Sequence, residues 1–278
     1  MKHLEIDELI KFHLVFDDFE LKGSYYDVFE AIESEILKNY KNFMARFYFQ
    51  SDREQAIKSA LIKLARSDRK KFNILKILPK NLANKVYAEL FKKDFLFVEK
   101  SREEPVKRIK HQSLKKSERR YKIEDKMHFS SHFSRFWFRF IEPNLELLKN
   151  GDEKKLLEII KSEFDQYASL GFELLCGELM AKILGIKDHI DSFWKKRIEI
   201  DIFLQFNDKL VVGEAKYKER KICKNILNLL LYKCKKLDIN PDIIMLFSRN
   251  GFSKELRELK DERVRLYEIK DFERLLND

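Results

Sequence analysis

The chain has only 7 glycines, 4 prolines and 3 cysteines among 278 residues, and each scarcity narrows the choice of function. With so little glycine and no GxxxxGK[ST] run, an autonomous P-loop ATPase is not expected, because that chemistry needs a glycine-rich loop to cradle phosphates. Cys176, Cys223 and Cys234 are odd in number, sit in apolar helical stretches and show no CxxC spacing. They read as reduced core residues, without a disulfide framework or zinc site. No apolar run approaches the roughly 18 residues of a membrane-crossing helix. The opening MKHLEIDELIKF mixes charges where a signal peptide would be apolar. A soluble, cytoplasmic protein with no membrane partner is the expectation. His128 and His132 stand at the i, i+4 spacing of helical metal ligands, but without a nearby acid the spacing implies no metal.

What the chain does have is charge and enough apolar residues for a core. Hydrophobic residues make up 44% of it and the formal net charge is +10, which favours a polyanionic partner. The length suits two ordinary domains. The pattern divides into a helical segment over 1–50, a second region over 51–126, an aromatic connecting helix over 127–150 and a last domain over 151–278.

Asp27 to Met44 carries apolar residues at helical spacing after the capping candidates Ser24 and Asp27. Ser51 to Glu54 reads as a capping box for the next helix. A short helix over Lys70 to Leu78 follows, then Pro79 and a third helix from Asn81 to Phe91 with Asn84, Lys85 and Ala88 facing outward. A strand over Phe95 to Val98 and a return strand near Arg120 to Ile123 complete winged-helix order. In that order the third helix enters a nucleic-acid groove and the connecting loop is the wing. Between Lys100 and Lys126 the loop holds eleven Lys or Arg residues against five acids. Lys107, Arg108, Lys115, Lys116, Arg119 and Arg120 would neutralise phosphates without reading sequence; a solvated linker is the plainer alternative. In HFSRFWFRFI, Phe133, Phe136, Trp137 and Phe140 form a stripe that reads as a buried packing face.

In the last domain, two helices are expected, over Asp152 to Tyr167 and Leu170 to Leu184. The second is apolar almost all round, yet carries Glu173 without a helical partner. A buried carboxylate is costly unless paired, so a metal ion or a lysine from another element is expected beside it. After the basic cluster Lys195, Lys196 and Arg197, the run RIEIDIFLQFNDKLVVGEAK alternates at strand period around the turn pair Asn207 and Asp208. With those two residues as the loop, Asp201 faces Glu214 and Glu199 faces Lys216. Opposed residues share a sheet face, so two carboxylates would meet within reach of one cation. A solvated hairpin with ordinary surface pairs is the plainer reading. The helix over Glu219 to Leu237 puts Ile222, Ile226, Leu229, Leu230 and Lys233 in phase, and the fully apolar Ile243 to Phe247 reads as a central strand covered on both faces.

Helix, three strands, helix, strand, with Glu173, Asp201 and Glu214-Ala215-Lys216 in that order, resembles the PD-(D/E)xK, or restriction-endonuclease-like, superfamily. FSRFWFRFIEPN, LGFELLCGEL, EIDIF and VVGEAKY resemble the nuclease-like domain of unknown function that follows the ATPase and winged-helix modules of archaeal-type P-loop ATPases. Here the P-loop core is lacking, and residues 1–50 would correspond to a remnant of the ATPase lid. The expected fold is an α+β winged-helix-like region followed by an α/β restriction-endonuclease-like domain. The resemblance implies a Mg²⁺- or Mn²⁺-dependent DNA endonuclease leaving a 5′-phosphate and a 3′-hydroxyl. Asp201 and Glu214, helped by Glu173 and the carbonyl of Ala215, would hold the metal. Lys216 would orient water or stabilise developing charge, and Glu199 would tune that lysine. The alternatives are a non-catalytic DNA-binding or regulatory protein on a nuclease-like scaffold, and a subunit that recruits a separate ATPase through residues 1–50.

Overall fold

The computed structural model describes residues 4–105 and 121–276. They form two compact units, one of residues 4–99 with 125–168 and one of residues 100–105 and 121–124 with 169–276. The boundary expected at Lys149 to Gly151 is instead a turn inside the first unit. The two helices expected to flank Ser169 are one continuous helix, Glu153–Leu184.

The first unit begins with α1 (Ile6–Phe16). The helix expected over 27–44 is broken into α2 (Val28–Ala31), a π-helical turn (Ile32–Leu37) and α3 (Tyr40–Met44). Asp27 is the cap that forms, accepting from Phe29 N and Glu30 N at 2.8 Å each. This N-terminal segment belongs to the core of the unit: Phe47 stacks on Trp137 at 4.6 Å between ring centres, and Phe19 on Phe133 at 5.7 Å. Next come α4 (Glu54–Ala65), a 3₁₀ helix (Lys71–Lys76) and α5 (Lys80–Lys92). The capping box does not close, since Ser51 Oγ accepts from Arg53 N and the helix starts at Glu54.

Strands β1 (Leu96–Glu99) and β2 (Lys126–Phe129) pair antiparallel from Leu96 with Phe129 to Glu99 with Lys126. The return strand thus lies a few residues beyond the expected Arg120 to Ile123, and Lys70 bridges its first residue, Lys126. The aromatic stretch follows as α6 (His132–Phe136) and a π-helical turn (Trp137–Ile141). The wider turn buries Phe138 and Ile141 along with the expected stripe of Phe133, Phe136, Trp137 and Phe140. After it come α7 (Leu145–Lys149) and the long α8 (Glu153–Leu184).

In the second unit a small hairpin, β3 (Phe193–Lys195) with β4 (Ile198–Ile200), precedes a four-stranded sheet. The sheet runs β5 (Ile202–Phe206), β6 (Lys209–Lys216), β7 (Ile243–Ser248), β8 (Val264–Glu268), with β5 and β6 antiparallel and the other neighbours parallel. Asn207 and Asp208 take the positive φ of 49° and 59° that the tight turn demands. β7 is buried along its whole length between β6 and β8, as its apolar run implies. Helix α9 (Lys224–Leu237) joins β6 to β7, and α10 (Lys254–Arg257) joins β7 to β8. Leu227, Leu230 and Cys234 of α9 pack with Val212, Ile244 and Leu246 in one core.

Candidate functional site

Alternation along β6 builds the site. Val212 lies in the core shared with α9, so the period of two puts Glu214 and Lys216 on the same face as Val212. On the side chain of Glu214 only 3% of the surface stays exposed. A carboxylate so deeply buried needs partners, and it has two. Lys216 Nζ lies 2.8 Å from Oε1, while Lys233 Nζ reaches from α9 to Oε1 at 2.9 Å and Oε2 at 2.7 Å.

Asp201 joins from the neighbouring strand, though not by the expected route. The β5–β6 register is the one the sequence predicts, Phe206 with Lys209 through Ile202 with Gly213. The chain bends at Asp201, however, and the ladder stops one step short of it. Asp201 instead turns its carboxylate onto the β6 backbone: Oδ2 accepts from Ala215 N at 3.0 Å and lies 3.5 Å from Lys216 Nζ. Burial, and then the Glu214 charge beside it, push the Asp201 carboxyl up to about 6. Burial alone would lower the Lys216 ammonium, but the charges of Asp201 and Glu214 outweigh it and hold its pKa above the ordinary value.

The bend also corrects the placement of Glu199. It stands on β4 opposite Trp194, not opposite Lys216, so the sheet pairing that would have made it the tuner of that lysine does not form. Glu173, on α8, is half-buried, and its charge contributes to the raised pKa of Lys216. Among the described residues no three His, Cys, Asp or Glu side chains cluster closely enough to hold a metal ion by themselves. Oxygens of Asp201, Glu214 and the Ala215 carbonyl all lie near one ammonium, Lys216 Nζ, the carbonyl accepting from it at 3.0 Å.

The expected DNA-contacting residues fall into three groups. Asn84 and Lys85 are exposed on α5, as their helical phase implies. Lys195, Lys196 and Arg197 are exposed at the tip of the β3–β4 hairpin, where Lys196 takes a φ of 57°. Lys107, Arg108, Lys115, Lys116, Arg119 and Arg120 lie outside the described residues. The described flanks of that basic stretch, residues 100–105 and 121–124, belong to the second unit. Arg102 donates to the carbonyls of Asp191, Ser192 and Phe203 and stacks on the Phe203 ring at 4.9 Å. On the other flank, Tyr121 bonds Glu103 and accepts from Lys196 N at 2.9 Å. Its phenol is pushed up to about 12 by burial and by Glu103.

Lys233 is the site residue that sequence reasoning missed. Its signal was a charged residue in phase with the apolar face of α9, one turn after Leu230. A buried stripe tolerates such a residue only where it meets an opposite charge.

Residues 137–226 match the family DUF234, described as archaea bacterial proteins of unknown function. That stretch contains Glu173, Asp201, Glu214 and Lys216 and ends before Lys233. A curated protein of Methanocaldococcus jannaschii, Uncharacterized protein MJECL04, is 30% identical over 118 residues, covering 40% of this chain and 25% of that protein. The chain therefore spans about a quarter of the length of the curated relative it matches. No solved structure matches the chain significantly. Among the described residues no helix is long and apolar enough to cross a membrane.

Proposed function

We propose that the second unit is a metal-dependent phosphodiesterase acting on DNA, a PD-(D/E)xK-type endonuclease. One observation carries the reading. Glu214 Oε1, the Ala215 carbonyl and Asp201 Oδ2 converge on a single cationic point, Lys216 Nζ, at 2.8, 3.0 and 3.5 Å. An all-oxygen set of two carboxylates and a carbonyl fits a hard cation such as Mg²⁺ or Mn²⁺. When bound there, such an ion would supply Lewis-acid polarisation of a phosphate and a water of lowered pKa.

The residues of the chain have separable tasks. Asp201, through its bond from Ala215 N, ties the bend to β6 and fixes the spacing of the two carboxylates. Lys216 brings an ammonium to the same point, suited to orienting water or stabilising charge that develops on a phosphorane. The exposed Lys195, Lys196 and Arg197 offer phosphate contacts in the same unit. Helix α4, the 3₁₀ helix, α5 and the β1–β2 hairpin bridged by Lys70 support a winged-helix-like reading of the first unit. The order α8, strands, α9, β7 supports a restriction-endonuclease-like reading of the second.

A second reading is favoured by Lys233. Its contact with both Glu214 oxygens leaves the carboxylate charge-paired without a metal, as in a nuclease-like scaffold that binds DNA or a separate ATPase and does not cut. The two readings separate in one assay. Supercoiled, linear, single-stranded and branched DNA are incubated with Mg²⁺, Mn²⁺ or EDTA, beside Glu214→Ala and Lys216→Ala variants. Metal-dependent nicking lost in both variants supports the enzyme. DNA binding by all forms with no cleavage of any substrate sinks it.

A further inference from the structure

We infer that Lys233 sets the affinity of the site for a divalent ion, by engaging both oxygens of the Glu214 carboxylate and competing with the ion for them. This rests on the metal-site reading above. The Glu214 carboxylate already accepts three contacts from two ammonium groups, with both oxygens engaged by Lys233 at 2.9 and 2.7 Å. An ion reaching these oxygens must therefore displace an ammonium.

The two lysines are not equivalent in this exchange. Lys216 touches Glu214, Asp201 and the Ala215 carbonyl, so its ammonium occupies the point where all three oxygens meet. Lys233 donates to both oxygens of Glu214 and comes from another element, α9. Its neighbours Leu230 and Cys234 are 0% and 1% exposed, which pins the helix that carries it. Lys216 is thus the group that yields its place, while Lys233 stays on the Glu214 oxygens and holds a positive charge beside the incoming ion. Removing that charge favours the ion, because like charges a few ångströms apart repel strongly in a half-buried site.

The test is a Mn²⁺ titration of the full chain, following free Mn²⁺ by electron paramagnetic resonance, with thermal melts in the absence and presence of Mn²⁺. The forms compared are the wild type, Lys233→Met, Lys233→Gln and Lys233→Arg. The Met and Gln variants should bind Mn²⁺ about tenfold more tightly than the wild type, and should melt at lower temperature when metal-free. Lys233→Arg, which keeps the charge, should return both properties toward wild type. A purely structural lysine would lower the melting temperature without tightening Mn²⁺ binding, and that result overturns the inference. Failure of every form to bind Mn²⁺ overturns it too. If these shifts occur but the wild type cuts no DNA, the inference stands and the nuclease reading falls.

Discussion

Ala215 N donates to Asp201 Oδ2 at 3.0 Å, immediately beyond the last ladder pair, Ile202 with Gly213. A side chain thus takes over where the backbone ladder stops. The bend that ends the ladder is what aims Asp201 at the oxygen and ammonium cluster of β6.

Gly213 should be intolerant of a side chain. A Cβ there would lie 3.1 Å from the Met245 carbonyl and 3.2 Å from Ile202 Cβ, so two neighbouring strands would have to give. Gly213→Ala is expected to cost about 1–3 kcal/mol in urea unfolding and to weaken Mn²⁺ binding by moving Glu214. Wild-type stability and affinity would show that the sheet accommodates the methyl group.

The first unit should lose stability in mild acid through His128. Its ring is 4% exposed and lies 2.7 Å from Glu99. Burial, with the Arg69 and Lys126 charges, outweighs the Glu99 hydrogen bond and lowers the pKa from 6.5 to about 4. The unfolded chain therefore binds the extra proton between these values, so this contribution is intact above pH 6.5 and is lost as pH falls towards 4. Between about pH 7.5 and about pH 5 it should amount to about 2 kcal/mol. Denaturant melts of wild type and His128→Gln at both pH values check it; an unchanged pH dependence in the variant would refute the assignment.

Glu199→Ala should leave Mn²⁺ affinity unaltered, because Glu199 faces Trp194 across the β3–β4 hairpin. Its stability effect should stay within about 1 kcal/mol. Calorimetric titration with Mn²⁺ decides the point, and loss of binding would put Glu199 back among the site residues.

The hairpin tip should carry DNA affinity without sequence preference. Replacing Lys195, Lys196 and Arg197 together by Gln should weaken binding uniformly across sequences and flatten the slope of log affinity against log salt by roughly 2–3. Fluorescence anisotropy at several salt concentrations measures both. An unchanged slope would remove the tip from the interface.

Much of the second unit was legible in the sequence because its signals are local. Period-two alternation, the Asn207-Asp208 turn and the fully apolar β7 led to the observed register and to a central strand, and Glu214 and Lys216 follow from position on one strand. Asn84 and Lys85 were likewise placed outward by helical phase alone. The long-range partners were not legible. Glu199 lost its expected neighbour because a bend at Asp201 divides what alternation reads as one strand. His128 found its acid in Glu99, 29 residues earlier, across a hairpin whose register no local pattern fixes. The break expected at Lys149 to Gly151 failed because a turn between helices has the same composition as a linker.

The sequence by itself determined which residue types stand at strand spacing and at the hairpin tip: two acids and a lysine along RIEIDIFLQFNDKLVVGEAK, and a basic cluster before it. Only the tertiary structure decided who meets whom. Packing α9 against the face of β6 that carries Val212 brings Lys233 onto Glu214. The bend before β5 brings Asp201 onto Ala215. Both contacts join segments distant in the chain, where burial makes an unpaired charge costly and the fold is stable only if each finds its partner.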